Sequence, residues 1–341
     1  MENKSRINEF LLHGFPDTEE LRIIHIIVFL IIYLAALIEN LIIITVIVYS
    51  HQLHSPMYFF LVNLSLQDFG SISVTVPKSI TNSLMNTEAI SYSGCLCQVF
   101  FLVFFILSHF FLLGVMAYDR YVAICNPLHY ETILNKKACI KMATSVWMCG
   151  LSYSMLHTGN MFMVKFCSKI INQFFCEIPQ LLKISCSDSY AAEEWILVLG
   201  SSLAFIIFLL IVFSYVRIFK AVFQIPSIQG KQKAFSTCLP HLLVICLFLV
   251  SGTFAYLKPI SSSPSTSDIL VSMFYCVVPP IMNPLIYSMR NKELKMAIWK
   301  LILNIFSNTL PPIFQFCVFN KFCKFFGHFV GAYTNIKQNF S

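Results

Sequence analysis

Charge is scarce in this sequence. Only 11% of its 341 residues are Asp, Glu, Lys or Arg, under half of the roughly 25% found in ordinary soluble domains. So few charges cannot coat a water-facing fold, which excludes a soluble enzyme, a nucleic-acid module and a disordered chain. Catalytic signatures are missing too: there is no phosphate-binding loop, no His-Glu-x-x-His and no Gly-x-Ser-x-Gly. No enzyme activity, cofactor or metal is expected, since Cys95-x-Cys97 is too short and isolated for a metal site. No internal repeat relates the two halves, which weighs against transporters built from repeated halves.

What the chain has in excess is apolar length. Hydrophobic residues make up 57% and mean hydropathy is +0.74. Runs long enough to cross a bilayer, about 20 residues each, fall at residues 23–49, 58–80, 97–124, 140–164, 195–223, 235–256 and 269–289. They lack the alternating polar face of barrel strands. The expectation is an all-α membrane protein, a seven-transmembrane helix bundle over 23–289 whose first partner is membrane lipid. Residues 1–22 are polar, without the short apolar core of a cleavable signal, so the first span is expected to act as its own insertion signal. With that N-terminal stretch extracellular, most of the 23 Lys and Arg fall on the cytoplasmic side, including Arg120, Lys136, Lys137, Lys141, Arg217 and Lys220. That is the bias expected for the inner face, and the net charge of +7 then needs no nucleic-acid partner.

Polar groups inside spans are costly, about 2.5–3.5 kcal/mol for an ionisable one on insertion scales. Each therefore suggests function. They are Glu39, Asn40, Asp68, His109, the run Asp119-Arg120-Tyr121, and Asn283 ahead of Pro284. Asp119 and Arg120 fall at the cytoplasmic end of the third span, where position alone gives both access to water. Asn40, Asp68 and Asn283 lie deeper, where a shared polar network between helices is the physical expectation. Pro240 and Pro284 each remove a helix hydrogen bond and bend their spans. Four cysteines, Cys95, Cys167, Cys176 and Cys186, belong to the oxidising outer side. They allow three pairings, and spacing does not choose among them. Asn3-Lys4-Ser5 is an outer sequon that marks Asn3 as a glycan acceptor.

Several of these residues sit in longer motifs. Met116-Ala117-Tyr118-Asp119-Arg120-Tyr121-Val122-Ala123-Ile124-Cys125-Asn126-Pro127-Leu128-His129-Tyr130 resembles the third-span signature of olfactory receptors, a branch of the rhodopsin-like G-protein-coupled receptors. Pro56-Met57-Tyr58-Phe59-Phe60-Leu61 is similar to the start of their second span and Leu64-Ser65-Leu66-Gln67-Asp68 to its core. Ser214-Tyr215 matches the fifth span and Lys233-Ala234-Phe235-Ser236-Thr237-Cys238 the start of the sixth. The stretch from Pro279-Pro280-Ile281-Met282-Asn283-Pro284 through Tyr287 to Lys292 matches the seventh. The likeness covers residues 5–305.

The resemblance implies a receptor for small hydrophobic volatile odorants that activates a heterotrimeric, stimulatory olfactory-type G protein and raises cyclic AMP, at the plasma membrane of olfactory sensory neurons. It implies an activation switch of Asp119, Arg120, Tyr121, Tyr215, Asn283, Pro284 and Tyr287, and a polar core of Asn40, Asp68 and His109. It pairs Cys95 with Cys176 and Cys167 with Cys186. It places the odorant among Leu102, Val103, Ile106 and Leu107 of span three, Gly200 and Leu203 of span five, Leu249, Thr253 and Tyr256 of span six, and Phe274 of span seven. It also implies a short amphipathic eighth helix at 290–305, with a cytoplasmic tail at 306–341. Three features depart from the family pattern: Glu39 replaces a common Gly, His109 replaces an acid linked with Asp68 to sodium binding, and the chain runs on through Pro311-Pro312. Two readings of that extension stay open, interfacial attachment through acylated Cys317 or Cys323 and a functionless product of an altered reading frame. Competing readings of the whole chain are an ion-coupled transporter or channel using Asp68, His109 and Glu39, and a receptor relic that does not signal.

Overall fold

Seven long helices succeed one another in the computed structural model, which describes residues 8–13, 18–186, 191–257 and 266–309. They are α1 (Glu19–Tyr49), α2 (Pro56–Met85), α3 (Tyr92–Cys125), α4 (Lys136–Met163), α5 (Ala191–Gln224), α6 (Ile228–Leu257) and α7 (Thr266–Arg290). An eighth helix, α8 (Lys292–Thr309), belongs almost wholly to a second compact unit that begins at Glu293. Six of the seven expected spans lie inside these helices, and the fourth overshoots α4 by Val164 alone. The helices run longer than the apolar runs because a helix satisfies its own backbone on either side of the hydrocarbon boundary. Among the described residues, α1, α2, α3, α5 and α6 are long and apolar enough to cross a bilayer. In α4 polar side chains, His157 and Asn160 among them, interrupt the apolar run.

Local chemistry sets the helix ends. Pro56 opens α2, where its missing N–H costs nothing. Asn86 ends α2 in the left-handed conformation at φ 50°, which Asn tolerates better than most residues. Ser91 accepts from Gly94 N at 3.1 Å to start α3, and Asn135 accepts from Ala138 N at 3.0 Å to start α4. Large apolar side chains stay exposed on α1 (Ile23, Ile27, Ile31, Leu34, Ile38) and α5 (Phe205, Ile206, Leu209, Phe213). In water such faces would aggregate, whereas in a bilayer lipid tails cover them.

A small sheet on the outer side went unforeseen. Strand β1 (Glu9–Leu12) lies between β2 (Ala89–Ser91), which it pairs antiparallel, and β3 (Ile170–Ile171), which it pairs parallel. The N-terminal segment thus joins the loop before α3 to the loop after α4. Phe10 and Leu12 point inward and are fully buried with Ile90, Val99, Met161 and Ile171. This alternation is the strand period of two, too short here to stand out against helical runs.

Candidate functional site

Proline chemistry in α7 creates the polar centre. Pro284 has no N–H, so the carbonyl of Pro280, four residues earlier, lacks the donor a regular helix supplies. Asn40 of α1 replaces it, donating from Nδ2 to Pro280 O at 2.9 Å and to Ala36 O at 2.9 Å. Three residues along α7, Asn283 Nδ2 lies 3.2 and 3.0 Å from the two carboxyl oxygens of Asp68. From α3, His109 Nδ1 stands 3.6 Å from Asp68 Oδ1, with its ring stacked on Phe248 at 5.1 Å. All four polar side chains are buried. They do not share one hydrogen-bond network as expected: Asn40 and Asp68 reach α7 separately, at Pro280 and Asn283. Asn40 Oδ1, His109 Nε2 and Asn283 Oδ1 have no protein partner among the described residues, so the centre has unused bonding capacity. Glu39, half-buried and next to Asn40 in the sequence, also leaves Oε2 without a partner among the described residues.

The cytoplasmic end of α3 is drier than its position suggests. Asp119 and Arg120 are only 1% and 3% exposed, which corrects the expectation that both meet water. Arg120 Nη1 donates to Asp119 Oδ2 at 3.0 Å, and Tyr130 OH donates to Asp119 Oδ1 at 2.8 Å. Tyr130 lies in the short helix Tyr130–Ile133 of the following loop. Burial first, then the Asp119 charge, pushes its hydroxyl pKa up, so it stays a donor. Tyr215 bonds His241 Nδ1 at 2.7 Å rather than Arg120. Tyr287 is buried with its hydroxyl unbonded among the described residues. Tyr121 is partly buried and packs on Tyr118 at 6.3 Å. Sequence reading missed Tyr130 and His241. Tyr130 closed the third-span motif, and His241 follows Pro240, but neither was assigned a role.

On the outer side, disulfides join Cys95 to Cys176 and Cys167 to Cys186. The first anchors the loop between α4 and α5 to α3, and Gln98 Oε1 accepts from Cys176 N at 2.8 Å beside it. Phe174 and Phe175, next to that anchor, are fully buried and pack with Leu102 of α3, Phe29 of α1, Val76 of α2 and Cys276 of α7. Gln173 donates to Ser272 Oγ, and Tyr275 donates to Glu177 Oε2. Burial pushes the Glu177 carboxyl pKa above its ordinary value, partly offset by bonds from Tyr275 and Gln173.

The expected pocket residues divide. Leu102 lies in the cluster with Phe174 and Phe175, and Ile106 packs against it. Val103 packs against the neighbouring outer cluster, and Leu107 is buried. Leu203 and Leu249 are partly buried on α5 and α6. Gly200 faces α4 instead: a Cβ there would sit 1.8 Å from the Tyr153 hydroxyl oxygen, so its small size serves helix packing. Phe274 is 40% exposed and stands apart from the Leu102 cluster. The side chains of Thr253 and Tyr256, the sequon at Asn3 and residues 310–341 lie outside the described residues. A buried α4–α5 clasp was also missed. His157 Nδ1 pairs with Glu193 Oε1, and Asn160 Nδ2 donates to Glu193 Oε2 at 2.6 Å. Its signal was polar residues in or beside two apolar runs, but 36 residues of separation hid the pairing.

Comparison with known proteins identifies the family. The family model described as olfactory receptor matches residues 29–305. Human olfactory receptor 14A16 is 47% identical over 303 residues, covering 89% of this chain and 98% of that protein. Human olfactory receptor 14I1 is 48% identical over 307 residues, covering 90% and 99% respectively. The chain belongs to the olfactory receptor family. It is therefore a multi-pass protein of the cell membrane and a G-protein-coupled receptor for odorants, not an enzyme.

Proposed function

We propose that this olfactory receptor binds small, weakly polar volatiles in the outer half of the bundle. Binding frees Arg120 to engage a stimulatory, olfactory-type G protein that raises cyclic AMP. The doubly bonded Asp119 carries the reading. Arg120 is always charged, so its two states must differ in partner rather than protonation. Its bond to Asp119, shared with Tyr130, defines a resting partner, while the unbonded Tyr287 hydroxyl and the Tyr215–His241 pair supply alternatives nearby. A difference of a few kcal/mol between the two packings lets a ligand shift the population. Leu102, Val103, Ile106 and Leu107 of α3, with Leu203 and Leu249, give an apolar lining that binds mainly by desolvation.

The test is a cyclic AMP assay of cells displaying the chain, run with a panel of volatile alcohols, aldehydes, esters and acids. Responses from the intact chain and none from an equally displayed Arg120→Ala variant support the reading. Full signalling by Arg120→Ala contradicts it.

A further inference from the structure

Phe174 and Phe175 lie buried inside the helix bundle, in one cluster with Phe29, Val76, Leu102 and Cys276. They belong to the loop between α4 and α5, yet neither exposes any surface. Phe174 meets Phe29 of α1 edge-on at 5.7 Å and Phe175 at 4.7 Å, and Phe175 meets Tyr275 of α7 at 6.1 Å. Leu102, on the α3 turn that faces the proposed odorant, shares their cluster, and Ile106 one turn deeper packs against it. Three fastenings hold the pair down. The Cys95–Cys176 disulfide follows Phe175 directly, Gln173 bonds Ser272 just before Phe174, and Glu177 accepts from Tyr275 just after the disulfide. A segment fixed at both ends this way is a part of the wall.

We infer that Phe174 and Phe175 are specificity-determining residues that fill the α1–α2–α7 side of the outer bundle and set an upper size limit on the odorant. This rests on the proposed odorant site beside Leu102 and Ile106. The bound molecule is confined to the side bounded by α3, α5 and α6, and added length on the ligand meets the Phe175 ring. Removing that ring opens the wall without touching the polar centre or the Arg120 end, so it changes which ligands act rather than whether the receptor signals. Close-packed interiors neither tolerate added methylenes nor fill lost ones freely.

The test compares the intact receptor with Phe175→Ala and Phe175→Leu over the straight-chain alcohols and aldehydes from butanol and butanal to dodecanol and dodecanal, with cyclic AMP as readout and surface staining as control. The expected result is a longer optimal chain in Phe175→Ala, with the potency ratio of long to short members rising about tenfold or more. Phe175→Leu shifts it the same way by less, and reads the effect if the alanine variant fails to reach the surface. Phe29→Leu, which alters the cluster from the α1 side away from the ligand, leaves the optimum in place. An unchanged optimum in both Phe175 variants, with amplitude lowered uniformly, overturns the size limit. Silence of the displayed intact receptor toward both series and toward the wider volatile panel overturns the odorant site itself.

Discussion

The side-chain amide of Asn40 donates at 2.9 Å to the carbonyl of Pro280, the group that Pro284 leaves without a helical donor. One residue of α1 thus repairs a defect that Pro284 creates in α7. A buried carbonyl left unpaired costs about 1–3 kcal/mol, so the pairing fixes α1 against α7 at the level of the polar centre. Asn283 bonds Asp68 three residues on, and the same stretch of α7 is held from α2.

Asn40→Leu is expected to lower the thermal unfolding midpoint of the solubilised receptor, through a loss of about 1–3 kcal/mol. In a Pro284→Ala background the helix regains its N–H donor to Pro280, and the same substitution then costs clearly less. A double-mutant cycle reads this coupling. Equal penalties in both backgrounds would show that the Asn40 bond does not serve the proline defect.

Tyr130 shares Asp119 with Arg120, so removing its hydroxyl weakens the resting state alone. Tyr130→Phe is expected to raise cyclic AMP in the absence of odorant, by severalfold for about 1 kcal/mol of lost hydrogen bond. Basal signalling that stays level at matched surface display counts against this role.

His109 Nδ1 faces Asp68 Oδ1 at 3.6 Å, at a position where the family resemblance implies an acid in many members. Substituting an imidazole for a carboxylate removes a hard oxygen ligand for a cation. Replacing external sodium with choline is expected to leave agonist potency unchanged. A strong sodium effect that disappears in Asp68→Ala refutes the argument.

Glu177 gives the loop clasp a pH dependence with a definite sign. Burial raises its pKa in the closed loop above the ordinary value of about 4.5. The closed loop therefore binds the proton more tightly than an opened one, and its stability falls as pH rises from 4.5 through the raised value. Protection factors for amide exchange in residues 172–178, corrected for the intrinsic pH dependence of exchange, should fall over that window in the intact receptor. In Glu177→Gln, which cannot ionise, the dependence flattens. An identical profile in both removes Glu177 as its source.

Much of the bundle was legible because a bilayer demands continuous apolar helices, and the Asp119-Arg120-Tyr121 motif was legible because its residues adjoin one another. What escaped were pairings across the chain. His157 and Glu193, Tyr215 and His241, and Asn40 and Pro280 each join distant segments, and no local period announces them. The Asn40 bond did leave one trace, since Pro284 has no N–H and implies an orphan carbonyl four residues earlier, at Pro280. At Gly200, a glycine in a span reads equally as pocket lining or helix contact, and the position of Tyr153 marks it as a helix contact. The outer sheet was hidden by strands of two to four residues.

The claim that odorant binding in the outer bundle frees Arg120 for a G protein is tested most directly by nucleotide exchange. Purified receptor in lipid nanodiscs is mixed with a stimulatory olfactory-type G protein and an activating volatile, and GTP-analogue uptake is followed with and without the volatile. The account predicts faster uptake with the volatile in the intact receptor and no acceleration in Arg120→Ala. Volatile-dependent exchange that survives in Arg120→Ala would contradict it.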